Sequence, residues 1–348
     1  MIYFAAGLFF SFLAIIEAIT KDEKFSFRSA LLFLFFMLLM VSLRHEVGTD
    51  WFGYYYFYEN EAPKSIEVGY RLLNNTLSNI GVPYNIFLFI INTISLVSLF
   101  YFIRSNVSLL ILAILIYFSD LFLYLNFSGI RQAIAISLTC LSVNYVINRD
   151  FLKFATVILI ASSFHLTAIS FIVTYFIPNK KLKKRVLFKI IILLLILIFS
   201  YNYIINLIIS TGLKNAEYYI ILQQKSSNIE DLFLVGLIKR LVPLLLVAIF
   251  VRKYFQIKNA YFYLHTYLLG FLIYVLTYKI SPDIGVRLSS YFTIIEIVII
   301  CNILYKLKNL TNRLVVTLLV VTISIYKLNG YSNSEVYQYN NILSVLLF

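Results

Sequence analysis

Charge is scarce in this chain. Asp, Glu, Lys and Arg make up 13% of its 348 residues, about half the share found in soluble domains. Cysteine occurs only at Cys140 and Cys301. Each sits inside an apolar run, which excludes a disulfide framework and reads as a small buried hydrophobe. The three histidines, His45, His165 and His265, are far apart and lack metal-ligand spacing, so no metal or other cofactor is expected. No phosphate-cradling glycine loop and no Gly-x-Ser-x-Gly elbow occurs, which argues against ATP-driven transport and serine hydrolysis. No internal repeat is present.

Apolar sequence fills the space instead. The chain is 61% hydrophobic, with a mean hydropathy of +0.88. The excess is continuous, which predicts an all-α, polytopic membrane protein with about 10–12 transmembrane helices. Spans are expected at 2–20, 29–43, 84–103, 107–125, 130–147, 187–209, 234–251, 262–280, 289–305 and 314–328. The first run lacks a basic start and a small-residue cleavage site, so it reads as a span and not as a signal peptide. The whole of 1–348 reads as a single integral membrane domain.

The net charge of +13 is read as a topology signal and not as nucleic-acid binding. The basic clusters 21–28, Arg104, 148–153, 178–185, 251–258 and 305–313 mark the cytoplasmic side. Both ends of 152–177 are basic and want that side. A helix–break–helix hairpin turning at 161–165 satisfies both, so this segment is predicted to be broken or re-entrant. One long tilted helix is the alternative. Irregular backbone at membrane depth is tolerated only inside protein or beside a watery cavity. A large extracytoplasmic loop then covers 44–83. Within it, Ile66, Tyr70, Leu73, Leu77 and Ile80 recur at helical spacing and predict an amphipathic outer-surface helix over 65–82. A second outer loop is expected at 210–233.

The polar residues gather at the rims of these spans. Arg44 with Asp50, Arg131, His165, and Arg287 with Asp283 all fall on the outer side, where Lys239 and Arg240 join them. Guanidinium is a planar fork of donors that fits phosphate oxygens and keeps its charge when partly buried. Several arginines at one membrane rim suggest a lipid-linked phosphate or pyrophosphate. The alternative for each is snorkelling to head groups. The aromatics after Asp50, among them Trp51, Tyr54 and Tyr55, suit either sugar faces or an interfacial belt.

The motifs themselves resemble a known family. Arg44-x-x-x-Gly48-Thr49-Asp50-Trp51-x-x-Tyr54 is similar to the first signature of the EpsG/Wzy-type polysaccharide polymerases. Glu67-Val-Gly-Tyr70, the GIRQAIA run at 129–135, the SSFHLTA run at 162–168 and the VRLSSYF run at 286–292 follow in family order. The resemblance covers about 44–292. It implies a multi-pass glycosyltransferase of the bacterial plasma (inner) membrane. Such an enzyme joins undecaprenyl-pyrophosphate-linked oligosaccharides into O-antigen, capsule or exopolysaccharide at the outer face. A chain-length regulator and a flippase are the partners to expect, besides membrane lipids, with no nucleic acid.

Without metal clusters, arginines must stabilise the departing pyrophosphate. Arg44, Arg131, Arg287, Arg240 and Lys239 are the candidates. His165 is the first choice as base for the acceptor hydroxyl, and Asp50 the second. The alternative for His165 is a capping or core histidine. Trp51, Tyr54, Tyr55, Glu67, Tyr70, Gln132, Asp283 and Tyr291 are candidate sugar ligands. An O-antigen ligase or a flippase of lipid-linked glycans is the rival reading. A ligase carries its large outer loop late in the chain, whereas here it comes early.

Overall fold

The computed structural model describes residues 1–183, Arg185, Tyr203 and 229–342. The predicted span at 187–209 lies outside the described residues apart from Tyr203, and so does the loop at 210–233 up to residue 228. The described chain is helical and forms two compact units. One unit comprises Met1–Tyr175 with Ile300–Phe348, and the other Phe176–Ile299.

Seven described helices are long and apolar enough to cross a membrane, or eight if the broken pair Pro282–Thr293 and Glu296–Lys306 counts as one more span. Five belong to the first unit: α1 (Ile2–Thr20), α2 (Glu23–Ser42), α5 (Tyr84–Asn106), α8 (Ile130–Ile147) and α15 (Leu310–Ser332). The predicted short span at 29–43 is a full 20-residue helix, because its charged start belongs to it. Asp22 caps that start, its carboxylate accepting the Lys24 and Phe25 N–H groups at 2.8 and 3.1 Å, a side-chain answer to orphan donors at a helix N-terminus.

Two shorter helices fill the predicted outer loop of this unit, α3 (Trp51–Glu59) and α4 (Val68–Asn79). They form a hairpin tied through α3's last carbonyls. Asn74 donates to Phe57 O at 2.9 Å and Ser78 to Tyr58 O at 2.5 Å. Four of the five residues of the predicted apolar face are covered by protein, while Ile80 lies past the end of α4 and is exposed. Tyr70 is fully buried, and Ile66, Leu73 and Leu77 pack on the same aromatic cluster with Trp51, Tyr54, Tyr58, Tyr84 and Phe87.

The next span divides into α6 (Leu110–Tyr117), a π-turn at Phe118–Phe122 and α7 (Leu123–Leu125). It is the most buried element, and it ends at Asn126. That side chain accepts from Tyr117 at 2.7 Å and donates to Asn92 on α5 at 2.8 Å. Bonded polar side chains of this kind join helices where water is excluded. They fix the turn 126–129 that launches α8.

The segment 152–177 breaks as predicted. α9 (Phe151–Phe164) stops at His165, which is extended, and a 3₁₀ segment, Leu166–Phe176, follows. The two arms run back to back. Arg149 Nη1 and Tyr175 OH each donate to the other residue's carbonyl, and the Tyr175 ring stacks on Phe154. The chain therefore leaves and returns at one end of the unit, with His165 at the far tip.

The second unit holds α10 (Ile229–Ile249), the single turn α11 (Val251–Tyr254), α12 (Ala260–Thr277) and α13 (Pro282–Thr293). α14 (Glu296–Lys306) carries the chain out of it. Ser281 caps α13, with Pro282 at its first position, an arrangement suited to a helix start. α12 and α13 pack closely at Gly270. A Cβ there would stand 2.6 Å from Phe292 Cβ.

Candidate active site

In the first unit, four stretches that are distant in sequence meet at one end of the bundle. α8 is the hub. Arg131, its second residue, aims its guanidinium at the α3–α4 hairpin. Nη1 pairs with Glu67 Oε2, Nε reaches Tyr54 OH at 3.4 Å, and the Tyr54 ring lies 5.9 Å from the guanidinium carbon. The side chain is 22% exposed, so the paired guanidinium is not sealed from solvent.

Glu67 has two partners. Its second oxygen, Oε1, accepts the Leu166 N–H at 3.2 Å, one residue past the break at His165. Burial alone would raise the Glu67 carboxyl. Its own backbone N–H, Arg131 and the Leu166 N–H outweigh that and hold it below the usual carboxylate range. His165 is half-buried, with Thr167 Oγ1 2.6 Å from its Nδ1.

Arg44 has a different environment. It is fully buried. Nη1 donates to Phe127 O and, at 3.3 Å, to Val47 O, and the Phe127 ring lies 4.9 Å beneath. Nε and Nη2 have no hydrogen-bond partner among the described residues. Burial pulls this guanidinium below its usual range, while the hydroxyls of Tyr84, Tyr3, Tyr54 and Tyr337 pull the other way. The loop after it fits its target closely. Gly48 has φ +104°, and a Cβ there would be 2.4 Å from Phe127 O. Thr49 N–H donates to Ser128 Oγ at 3.0 Å. The first motif thus wraps the turn that aims Arg131, and Arg44 is enclosed within that wrap.

The aromatic candidates divide. Trp51, Tyr54 and Tyr70 are buried, their rings packed on one another or on Tyr84 and Phe87. Tyr55 stacks on Trp51 and is 38% exposed, so it presents a face to solvent. Gln132 is buried. Asp50 is half-buried and accepts from Thr49 Oγ1 at 2.9 Å.

Sequence reasoning missed the C-terminal segment. Residues 335–342 lie along the loop that holds Arg44. His45 N–H donates to Asn340 O, Gly48 N–H to Val336 O and Ile342 N–H to Leu43 O, at 2.9–3.0 Å. Tyr337 OH meets Ser128 Oγ at 2.9 Å. The tyrosines of NGYSNSEVYQYNN were the visible signal, but nothing in that composition names a docking partner.

In the second unit, Arg240 stacks on Tyr274 at 3.6 Å and donates to Gly236 O at 3.2 Å. A Cβ at Gly236 would collide with Tyr274 OH, at 1.9 Å, so the glycine admits the ring. Tyr278 lies within electrostatic range of both Arg240 and Asp283. Lys239 and Arg287 are half-buried, Asp283 is exposed and Tyr291 is fully buried. Among the described residues, no three His, Cys, Asp or Glu side chains lie close enough to hold a metal ion.

These features define a multi-pass helical membrane protein whose sequence motifs converge at one end of a bundle. The family model of the EpsG family matches residues 27–342, nearly the whole chain. The chain belongs to that family of Wzy-type polymerases, and its coarse activity is that of a membrane polysaccharide polymerase. No curated protein and no solved structure matches significantly.

Proposed function

We propose that this polymerase joins undecaprenyl-pyrophosphate-linked oligosaccharide units at the outer face of the plasma membrane. The acceptor hydroxyl oxygen attacks the anomeric carbon of the donor. The bond from that carbon to the phosphate oxygen breaks, and undecaprenyl pyrophosphate leaves with the electron pair. The hydroxyl proton passes to His165 or, failing that, to Asp50.

One observation carries this reading: Arg131 is held by Glu67 and Tyr54 and stays 22% exposed at the point where the motifs meet. A guanidinium fixed in that way suits the charge that grows on a departing diphosphate. Each charge-assisted hydrogen bond is worth about 1.5–3 kcal/mol, and each ~1.4 kcal/mol is tenfold in rate. Arg44, enclosed by carbonyls and tyrosines, supports the turn beneath Arg131. Arg240, Lys239 and Arg287 are the second unit's own candidates for an anionic group. Tyr55, with its exposed face, is the first candidate to meet sugar.

The test is gel analysis of surface glycan in a strain lacking this chain, complemented with the wild type or Arg131→Ala. The reading expects single-repeat glycan in the deletion strain and with Arg131→Ala, and a full ladder with the wild type. Complete loss of glycan, repeat unit included, would point to a ligase or flippase. A full ladder from Arg131→Ala would refute the site.

A further inference from the structure

Glu67 belongs to the α3–α4 hairpin, yet both its oxygens serve other elements. Oε2 pairs with Arg131 at the start of α8, and Oε1 accepts the first N–H beyond the His165 break. One side chain thus sets the tips of two helical elements that are remote in sequence. Its neighbours make this possible. A Cβ at Gly69 would lie 2.3 Å from Ser163 Oγ and 2.9 Å from Ser163 O, so only glycine lets α4 come this near α9. Tyr70 is fully buried and packs on Tyr54, the ring that Arg131 also meets. The Glu-Val-Gly-Tyr stretch therefore faces a single point.

We infer that Glu67 is a positioning residue. It holds the Arg131 guanidinium and the His165 tip in one register, and it leaves substrate contact to them. This rests on the proposed reading of Arg131 as a diphosphate ligand. The carboxylate also competes with any diphosphate for the same guanidinium. Removing its charge should free Arg131 to bind an anion while losing the alignment needed for transfer. A purely structural acid would show no such split.

The experiment uses the full chain, with polymer formation in the deletion strain and binding of inorganic pyrophosphate to purified protein. Glu67→Gln retains an acceptor for Leu166 and loses the ion pair. Polymer should fall about 10- to 100-fold, the scale of a small misplacement. Pyrophosphate should bind as tightly as to the wild type, or more tightly. Glu67→Asp should recover part of the polymer. Arg131→Ala should lose both, and adding Glu67→Gln to it should change nothing more, because coupled residues are not additive. A wild-type ladder from Glu67→Gln would overturn the inference, with Arg131's role intact. Loss of pyrophosphate binding together with a collapsed melting temperature in Glu67→Gln would also overturn it, by making Glu67 a folding residue. Undiminished pyrophosphate binding by Arg131→Ala would instead remove the reading on which the inference stands.

Discussion

The two ends of the first unit use charge differently. At the end where α1 finishes, polar groups serve the termini of neighbouring helices. Arg313 donates to Leu307 O at 3.2 Å and to Ile19 O at 3.3 Å, and Lys21 donates to Tyr305 O and Leu307 O. Glu17 accepts the Ile111 and Leu112 N–H groups that begin α6, both at 3.0 Å. Cations on terminal carbonyls and carboxylates on terminal amides are what helix ends require. At the opposite end the charge pair Arg131–Glu67 joins two elements, and several buried donors lack a hydrogen-bond partner among the described residues: Arg44 Nε and Nη2, Trp51 Nε1 and the Tyr70 and Tyr84 hydroxyls. Buried donors without partners are costly. Arg313 Nε is the counterpart at the first end, so the second end is the one shorter of acceptors.

Substitutions can break this contrast. The largest effect is expected from Arg131→Lys. It keeps the charge but loses the planar fork. Polymer should drop at least 100-fold in the glycan gel, as when an oriented transition-state donor is removed, while the protein still inserts. Gly48→Ala should come next. Its positive φ alone costs about 1–3 kcal/mol, and the new Cβ meets Phe127 O. A lowered melting temperature in detergent and a weakened ladder together would confirm that this loop aims Arg131.

Arg313→Ala sharpens the comparison from the other end. Removing the donor to Ile19 O, and leaving Leu307 O to Lys21 alone, should cost about 1–3 kcal/mol of stability, read in the same melting assay. The folded fraction should still make full-length ladders. Lys153→Ala should do least. Its pair with Asp150 is surface-exposed, and such pairs add little. Neither the melting temperature nor the ladder should move.

The sequence disclosed much of this because membrane segments obey simple rules. The run at 130–147 coincides with α8, and the two basic flanks of 152–177 point to the break seen at His165. The apolar spacing of α4 was legible, but its partner was not. Periodicity shows that a face must be covered, and here protein aromatics cover it. Both Arg44 and Arg131 read as rim arginines for a diphosphate. Burial separates them, and burial depends on contacts 80 residues away, such as Arg44 with Phe127. The docking of 335–342 was illegible for the same reason, since backbone pairing with a loop leaves no pattern in side chains.

The most direct measurement is arginine modification of the purified chain by phenylglyoxal, mapped by peptide mass with and without inorganic pyrophosphate. Arg131, whose side chain is 22% exposed, should react and be protected by pyrophosphate. Arg44 at 0% exposure and Arg313 at 8% should stay unmodified in both. Equal modification of Arg131 with and without pyrophosphate would contradict the account.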